Sequence, residues 1–411
     1  SVPQDLDNDG TCNYIDTDDD GDGWSDTDEF ECEPNGFNRF KTFSNNNNHY
    51  PNTHMVDLFF GGSNDDELTL IGRTPTQYRA SIWTFDSPTQ TTSEYFSSNS
   101  NYQQNNVDVV HINGTTTVAT NRYVDERTAT QTYSQSTSVL DLSTTYNVED
   151  RFSSIDIDDS GRVYVVDGDY RFYYQSTADS AFSYITLPHP NSIDGRMHLE
   201  AEPDGTVHIA YWYNSNLYYR TSDLPQSGSR SWNSAVNVYT ATNREPSSFD
   251  LEVDSNGIAH VAFISSSSDS YAMRYINNTG GSFSSSNTIA DNLPNANDNF
   301  LDLDLDSNGM PHVTWTDKTN RTVYHTFIDG SSSTTKLVET LPSGSDYTMY
   351  GVSQAISSND RVNIFISARS KSILAFQGAF TPWSLQANVE PGDVDGDGIC
   401  DNIETAPLSY D

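Results

Sequence analysis

Between residues 154 and 330 the chain alternates apolar and polar positions in short runs, and the runs recur. "SIDIDDSGRVYVVDGDYRFYYQST" begins at Ser154, "HLEAEPDGTVHIAYWYNSNLYYRTS" at His198, "FDLEVDSNGIAHVAFISSSSDSYAMRYI" at Phe249 and "LDLDLDSNGMPHVTWTDKTNRTVYHTF" at Leu301. Each reads as an alternating run, a turn of the form Asp-x-x-Gly or a near variant, a second alternating run, a polar turn and a third run rich in Tyr. Weaker copies start at Val56, Val107 and Val352. The turn positions fall at Gly62, Gly114, Gly161, Gly205, Gly257, Gly309 and Asp360, a spacing of 44 to 52 residues. Period-two alternation broken by Gly, Asn and Asp specifies antiparallel strands. Three or four strands in about 50 residues is the repeat of a β-propeller blade. Seven copies predict an all-β fold, a seven-bladed β-propeller over residues 37–387, with six or eight blades left open by the faintest copies.

The repeat also aligns candidate chemistry. His208, His260 and His312 each stand three residues after the turn Gly, a slot filled by Tyr164 and Asn363 in other copies. Equivalent positions in successive blades point in equivalent directions. The three histidines are therefore expected to hydrogen-bond within their own blades rather than to converge on a metal or a substrate. Trp212, Phe263 and Trp315 are expected to pack between blades, with stacking on a sugar as the alternative.

Charge changes the picture at the two ends. Residues 1–33 carry 13 acids and residues 390–411 carry seven, with no Lys or Arg in either stretch. Of 58 acids and 20 bases in all, the remaining 38 acids and every base lie between them, so two short segments supply about half of the net charge of −38. Such an acidic surface repels phosphate and argues against nucleic acid and anionic membranes as partners. No stretch approaches the ~20 apolar residues of a membrane-spanning helix. Without an initiator Met or a signal peptide, Ser1 reads as a processed end or the start of an excised segment.

Within the acidic ends, carboxylates recur at every second position. A 12-residue calcium loop asks for oxygens at positions 1, 3, 5, 7, 9 and 12, with Gly at 6 for the sharp turn. Asp393, Asp395, Asp397, Ile399, Asp401 and Glu404 fill that frame around Gly398. Asp18, Asp20, Asp22, Trp24, Asp26 and Glu29 fill it around Gly23, and Asp5, Asp7, Asp9, Thr11, Asn13 and Asp16 around Gly10, with Thr11, Trp24 and Ile399 contributing backbone carbonyls at position 7. Hard oxygen donors without His or Cys select Ca²⁺ over zinc or copper, and so many protein ligands disfavour Mg²⁺.

No amphipathic helix flanks these loops, as an EF-hand would require. The motifs instead resemble thrombospondin type 3 repeats, in which "D-x-D-x-D-G" units pack end to end around calcium. That resemblance covers about 50 residues and divides the chain into calcium-binding repeats at 1–36, a propeller at 37–387 and a further repeat at 388–411. It implies that the Asp residues at positions 1, 3 and 5 of each loop bind calcium and that Cys12, Cys32 and Cys400 serve as cross-links. The odd number of cysteines leaves one unpaired within a chain or joined to another. The body resembles sialidase-like, BNR-type propellers loosely, through "DSNG-x-x-HV-x-[FW]".

Three functions compete. An extracellular or cell-surface calcium-binding module, structural or adhesive and without enzymatic activity, is the leading expectation. Read end before beginning, the termini form one continuous calcium motif, which suggests head-to-tail self-association in a filament or a tandem array of neighbouring repeats. A glycan-binding, lectin-like propeller is the alternative. A sialidase-like glycoside hydrolase ranks third, because no intact "S-x-D-x-G-x-x-W" motif and no arginine constellation are present. Asn113, Asn277 and Asn320 begin Asn-x-Thr sequons and are candidate glycosylation sites.

Overall fold

The computed structural model describes the side chains of residues 154–368, apart from parts of several connections, and the backbone alone of further strands between 38 and 142 and at 371–377. Seven four-stranded antiparallel sheets are described. Sheet I comprises Val56–Gly61, Glu67–Arg73, Ala80–Thr84 and Thr91–Phe96, and sheet II comprises Gln104–Ile112, Thr115–Arg122, Thr128–Tyr133 and Ser138–Leu142. Sheet III is built from Ser154–Ile157, Val163–Val166, Arg171–Gln175 and Phe182–Thr186, and sheet IV from Met197–Ala201, Val207–Tyr213, Asn216–Ser222 and Val236–Thr240. Sheet V contains Phe249–Val253, Ala259–Ser266, Tyr271–Asn277 and Asn287–Leu293, and sheet VI contains Leu301–Leu305, Pro311–Asp317, Thr322–Asp329 and Ser332–Thr340. In sheet VII the strands Met349–Ile356, Val362–Ala368 and Lys371–Gln377 are completed by Asn38–Ser44, from the other end of the chain.

Within every sheet the strands lie side by side in chain order, that late addition apart. The first strands contact one another in a closed cycle, each touching the first strand of the next sheet and sheet VII touching sheet I. Burial falls outward from there. The second strands of sheets III and VI are buried at every position, whereas the fourth strands are mostly exposed. The same burial on both faces is why "VHIAYWY", the second strand of sheet IV, reads as a near-continuous apolar run.

The core is a series of layers between sheets. Trp212 packs with Phe249 and Phe263 between sheets IV and V, and Met273 with Leu303 and Trp315 between sheets V and VI. Trp212, Phe263 and Trp315 are at most 3% exposed, so they pack between sheets as the repeat implies and offer no face to a sugar.

The turn between first and second strands has one construction. Asp158 accepts the backbone N–H groups of Ser160 and Arg162 at 2.9 and 3.0 Å, and Asp254 those of Asn256 and Ile258 at 2.9 and 2.8 Å. Asp306 accepts those of Asn308 and Met310, both at 2.8 Å. The fourth residue then takes a positive φ, +77° at Gly161 and +75° at both Gly257 and Gly309, a conformation that costs other residues steric energy. Asp360 fills the slot in sheet VII at φ 62°, which Asp tolerates better than most residues. Its carboxylate also accepts the Ser307 N–H at 2.7 Å and the Ser307 hydroxyl at 2.8 Å, tying two successive turns together.

At Gly309 an added Cβ would lie 3.2 Å from the Cβ of Asp254 in the preceding turn. Gly309→Ala is therefore expected to lower stability by about 1–3 kcal/mol through backbone strain and that contact. Gly330→Ala, at a positive φ but in open space, should cost less. Denaturant unfolding of both variants measures the difference.

Candidate functional site

Many polar positions of the first strands are acidic, and these acids converge, mostly half-buried, where the strands meet: Asp156, Glu200, Asp250, Glu252, Asp302 and Asp304. The inner edge of each first strand has no further strand to pair with, so its amides need other acceptors. The Asp156 carboxylate accepts the Ala201 N–H at 2.6 Å, and that of Asp250 accepts the Leu303 N–H at 2.9 Å. The Asp302 carboxylate accepts the Gln354 N–H at 2.6 Å and the Ser353 hydroxyl at 2.9 Å, and that of Asp304 accepts the Ile356 N–H at 2.8 Å. Ser154 plays the same part with a hydroxyl, accepting the Leu199 N–H at 3.1 Å. Every one of these bonds runs from one sheet to the next in the same sense.

Crowding these acids shifts their ionisation. Burial holds the Glu200 carboxyl well above its usual range, and the nearby charges of Glu252, Asp156 and Asp250 push it the same way. Glu252 is raised well above its usual range by burial, then by Asp304 and Asp250. Burial also raises Asp304, to about 7, against the opposing effect of its amide donors. Asp250 goes the other way. Burial pushes its carboxyl up, but the His198 imidazole 2.9 Å away and the amide it accepts outweigh that and hold it below the ordinary value.

The second-strand histidines form a separate repeated unit. His208 lies 2.7 Å from Glu202 through Nε2 and 2.5 Å from the Tyr219 hydroxyl through Nδ1. A carboxylate only accepts, so Nε2–H donates to Glu202 and Nδ1 accepts the Tyr219 hydroxyl proton. His260 repeats the contact with Tyr275 at 2.5 Å and has Asp254 4.0 Å away, and His312 lies 3.1 Å from His325 and 3.8 Å from Asp306. In sheet III the Tyr164 hydroxyl donates to Asp158 at 2.8 Å. Burial depresses His208, His260 and, most strongly, His325, which favours neutral rings. In sheet IV these contacts tie the turn acid Glu202 to the second and third strands; in sheets V and VI the ring joins the two strands and the turn acid stands 4.0 and 3.8 Å away. The histidines are buried and one sheet apart, so no substrate reaches two of them.

Among the described residues no group of three or more His, Cys, Asp or Glu is arranged to hold a metal ion. The loop residues from Asp5 to Glu29 and from Asp393 to Glu404, the cysteines Cys12, Cys32 and Cys400, and Asn113 lie outside the described residues. Asn277 ends the third strand of sheet V, half-buried, where its amide donates to the Tyr275 hydroxyl at 3.1 Å. Asn320 is exposed in the turn after Asp317 and donates to that carboxylate at 2.6 Å.

The first-strand acids are what the sequence reading missed. Alternation there specifies strands and assigns these acids no role. The available signal was an acid at one strand position in four successive copies, Asp156, Glu200, Glu252 and Asp304, joined two residues earlier by Asp250 and Asp302 in two of them, with no Lys or Arg opposite.

No protein-family model matches the sequence, and no curated protein matches it. Solved structures do. A triple arginine-to-alanine mutant of AofleA from Arthrobotrys oligospora superposes with a TM-score of 0.50 at 9% identity, over 74% of this chain and 90% of that one. The likeness is one of fold. YCF48 bound to a peptide matches at TM-score 0.47 and 14% identity over 84% and 98% of the two chains. The SapL1 lectin in complex with a methyl fucoside matches at 0.42 and 8% over 67% and 96%. At these identities the comparison speaks to fold alone and says nothing of activity.

The acids at the sheet centre set the pH dependence. The charged forms of Glu200, Glu252 and Asp304 are disfavoured in the folded chain. The stability they contribute is therefore fully present below the ordinary carboxylate pKa of about 4 and is lost as pH rises toward the raised values. The depressed His208, His260 and His325 act in the opposite sense and cost stability as pH falls below about 6.5. Thermal unfolding is expected to show a higher midpoint at pH 5.5 than at pH 8. Glu200→Gln and Glu252→Gln should raise the midpoint at pH 8 and flatten the profile. Variant midpoints that change between pH 5.5 and 8 just as the parent's does would contradict this.

Proposed function

We propose that the chain is a non-enzymatic, extracellular calcium-binding structural or adhesive module, a seven-bladed β-propeller flanked by thrombospondin type 3-like calcium loops. The observation that carries the reading is the register of the three acidic motifs, each with Gly at position 6 and oxygen donors at the positions calcium requires. The described strands begin at Asn38 and end at Gln377, so all three motifs fall outside the sheets. The donor set is entirely oxygen and fits Ca²⁺. When bound, the ion supplies the positive charge that allows closely spaced carboxylates to coexist. Head-to-tail self-association in a cell-surface filament is the partner arrangement this reading favours, with Cys12, Cys32 and Cys400 as its cross-links.

A glycan-binding role has one observation in its favour. Trp232 is half-buried beside Phe172, ring centroids 5.2 Å apart, with the Arg220 guanidinium 5.5 Å from the indole, an aromatic and cationic pair of the kind that can receive a sugar. A glycan array separates the two readings. Binding that disappears in Trp232→Ala would favour the lectin.

Removing calcium tests the main reading. Chelation with EDTA should expose residues 1–35 and 388–411 to protease while fragments spanning 38–377 persist. Unchanged cleavage at both ends would show that these motifs do not depend on the metal.

A further inference from the structure

Arg274 stands in the third strand of sheet V, half-buried against the outer strand of sheet IV. Its Nε donates to the Ser265 hydroxyl at 2.8 Å and its Nη1 to the Thr288 hydroxyl at 2.7 Å. The guanidinium carbon lies 5.5 Å from the centre of the Tyr239 ring in sheet IV, and the Tyr239 hydroxyl donates to the same Ser265 oxygen at 3.3 Å. Ser265 is 1% exposed and gives the group a buried anchor. These partners fix the plane of the guanidinium, and none of them is an anion. With 58 acids against 20 bases in the chain, a carboxylate was the partner most at hand. The fold uses hydroxyls and a ring instead.

The backbone is bent to make this arrangement. Between the third and fourth strands of sheet V the register shifts twice, on either side of Met273. The corresponding strands shift once in sheets IV and VI and not at all in sheet III. An extra residue in one strand re-aims the side chains beside it. Met273 pairs with Ala290 and Arg274 with Thr288, so the second shift sets a hydroxyl opposite the arginine where Ile289 would otherwise stand.

What remains at this place is a set of donors. A guanidinium carries five N–H groups and no acceptor. Nη2 keeps both of its hydrogens among the described residues, and the exposed Thr288 hydroxyl, having accepted from Nη1, keeps its own to give. Donors without an acceptor between them call for a ligand that only accepts, and planar guanidinium N–H groups match the oxygens of a carboxylate or a sulfate. The net charge of −38 limits the size of that ligand. A polyanion is repelled at long range, whereas a small molecule with one charge is screened beyond about 8 Å at physiological salt.

We propose that the boundary between the outer strands of sheets IV and V binds a small ligand through one carboxylate or sulfate group, received by Arg274 and Thr288. The site shares no residue with the acidic terminal motifs and stands whether or not they bind calcium.

Isothermal titration of the full chain with glucuronate, a glucose sulfate ester, inorganic sulfate and neutral glucose tests it. The anions should bind at one site in the millimolar range or tighter, and glucose should not bind. Equal affinity for inorganic sulfate assigns the site to a free anion, and tighter binding of the sugar acids assigns it to an organic one. Arg274→Gln should weaken the anion roughly 10- to 100-fold, the span of a charged hydrogen bond. Thr288→Val changes an exposed residue and keeps the arginine, so it should weaken binding by a smaller factor in a folded chain. Circular dichroism checks both variants, and Thr288→Val decides alone if Arg274→Gln does not fold. The site is overturned if no anion binds, if glucose binds as well as glucuronate, or if the folded variants match the parent. Self-association that depends on Arg274, without affinity for added anions, would place a carboxylate of a second copy there and overturn it as well.

Discussion

The architecture depends on one hydrogen bond, repeated: a carboxylate on the first strand of one sheet accepting an amide from the first strand of the next. Sheets that meet edge-on around a common centre leave a row of unpaired N–H groups there, and buried amides without acceptors are costly. Asp156, Asp250, Asp302 and Asp304 meet that need directly. A carboxylate is a stronger acceptor than a neutral group, so the same residues also fix how far apart successive sheets sit. The cost is electrostatic. Glu200 and Glu252 share the space, and with His198 committed to Asp250 the surplus acid retains protons at a pH where exposed carboxyls would have lost them.

This arrangement bears on the choice between enzyme and scaffold. Carboxyls with raised pKa values in an enclosed place are the usual mark of general acids. Here Asp304, one of them, is occupied with a backbone amide of the next sheet, as Asp156, Asp250 and Asp302 are, which gives these aspartates a structural task. The acid–His–Tyr units follow the same logic. In a single copy Glu202–His208–Tyr219 resembles a proton relay, but the His–Tyr pair recurs at His260 and Tyr275, which marks it as part of the repeat, where it joins the second and third strands.

Much of the fold was legible in the sequence because its signals are local. The turn Gly positions coincide with residues of positive φ at Gly161, Gly205, Gly257 and Gly309, and even Asp360 keeps the conformation. The interior packing of Trp212, Phe263 and Trp315 followed from their shared slot. What was not legible depends on closure. Alternation shows which residues share a face of a strand but not which face looks inward once the sheets form a cycle, so "LDLDLD" could not be told from a strand with a wet side. Nor does any local pattern mark Asn38–Ser44 as the partner of Lys371–Gln377, because that pairing joins segments more than 300 residues apart. The calcium motifs are a different case. Their evidence is wholly in the spacing of their ligands.

The closing strand has a mechanical consequence. Tension applied through residues on either side of the fold would reach Asn38 and Gln377, neighbouring ends of two antiparallel strands. Pulled apart there, their hydrogen bonds would load one at a time and open like a zip, whereas strands pulled lengthwise past each other resist together. The other six sheets, however well packed, would feel almost none of this force until the seventh had peeled. A chain with this topology can bear a sustained pull only if the segments leading to the two strands are held to each other before they reach the sheet, so that the load bypasses the fold.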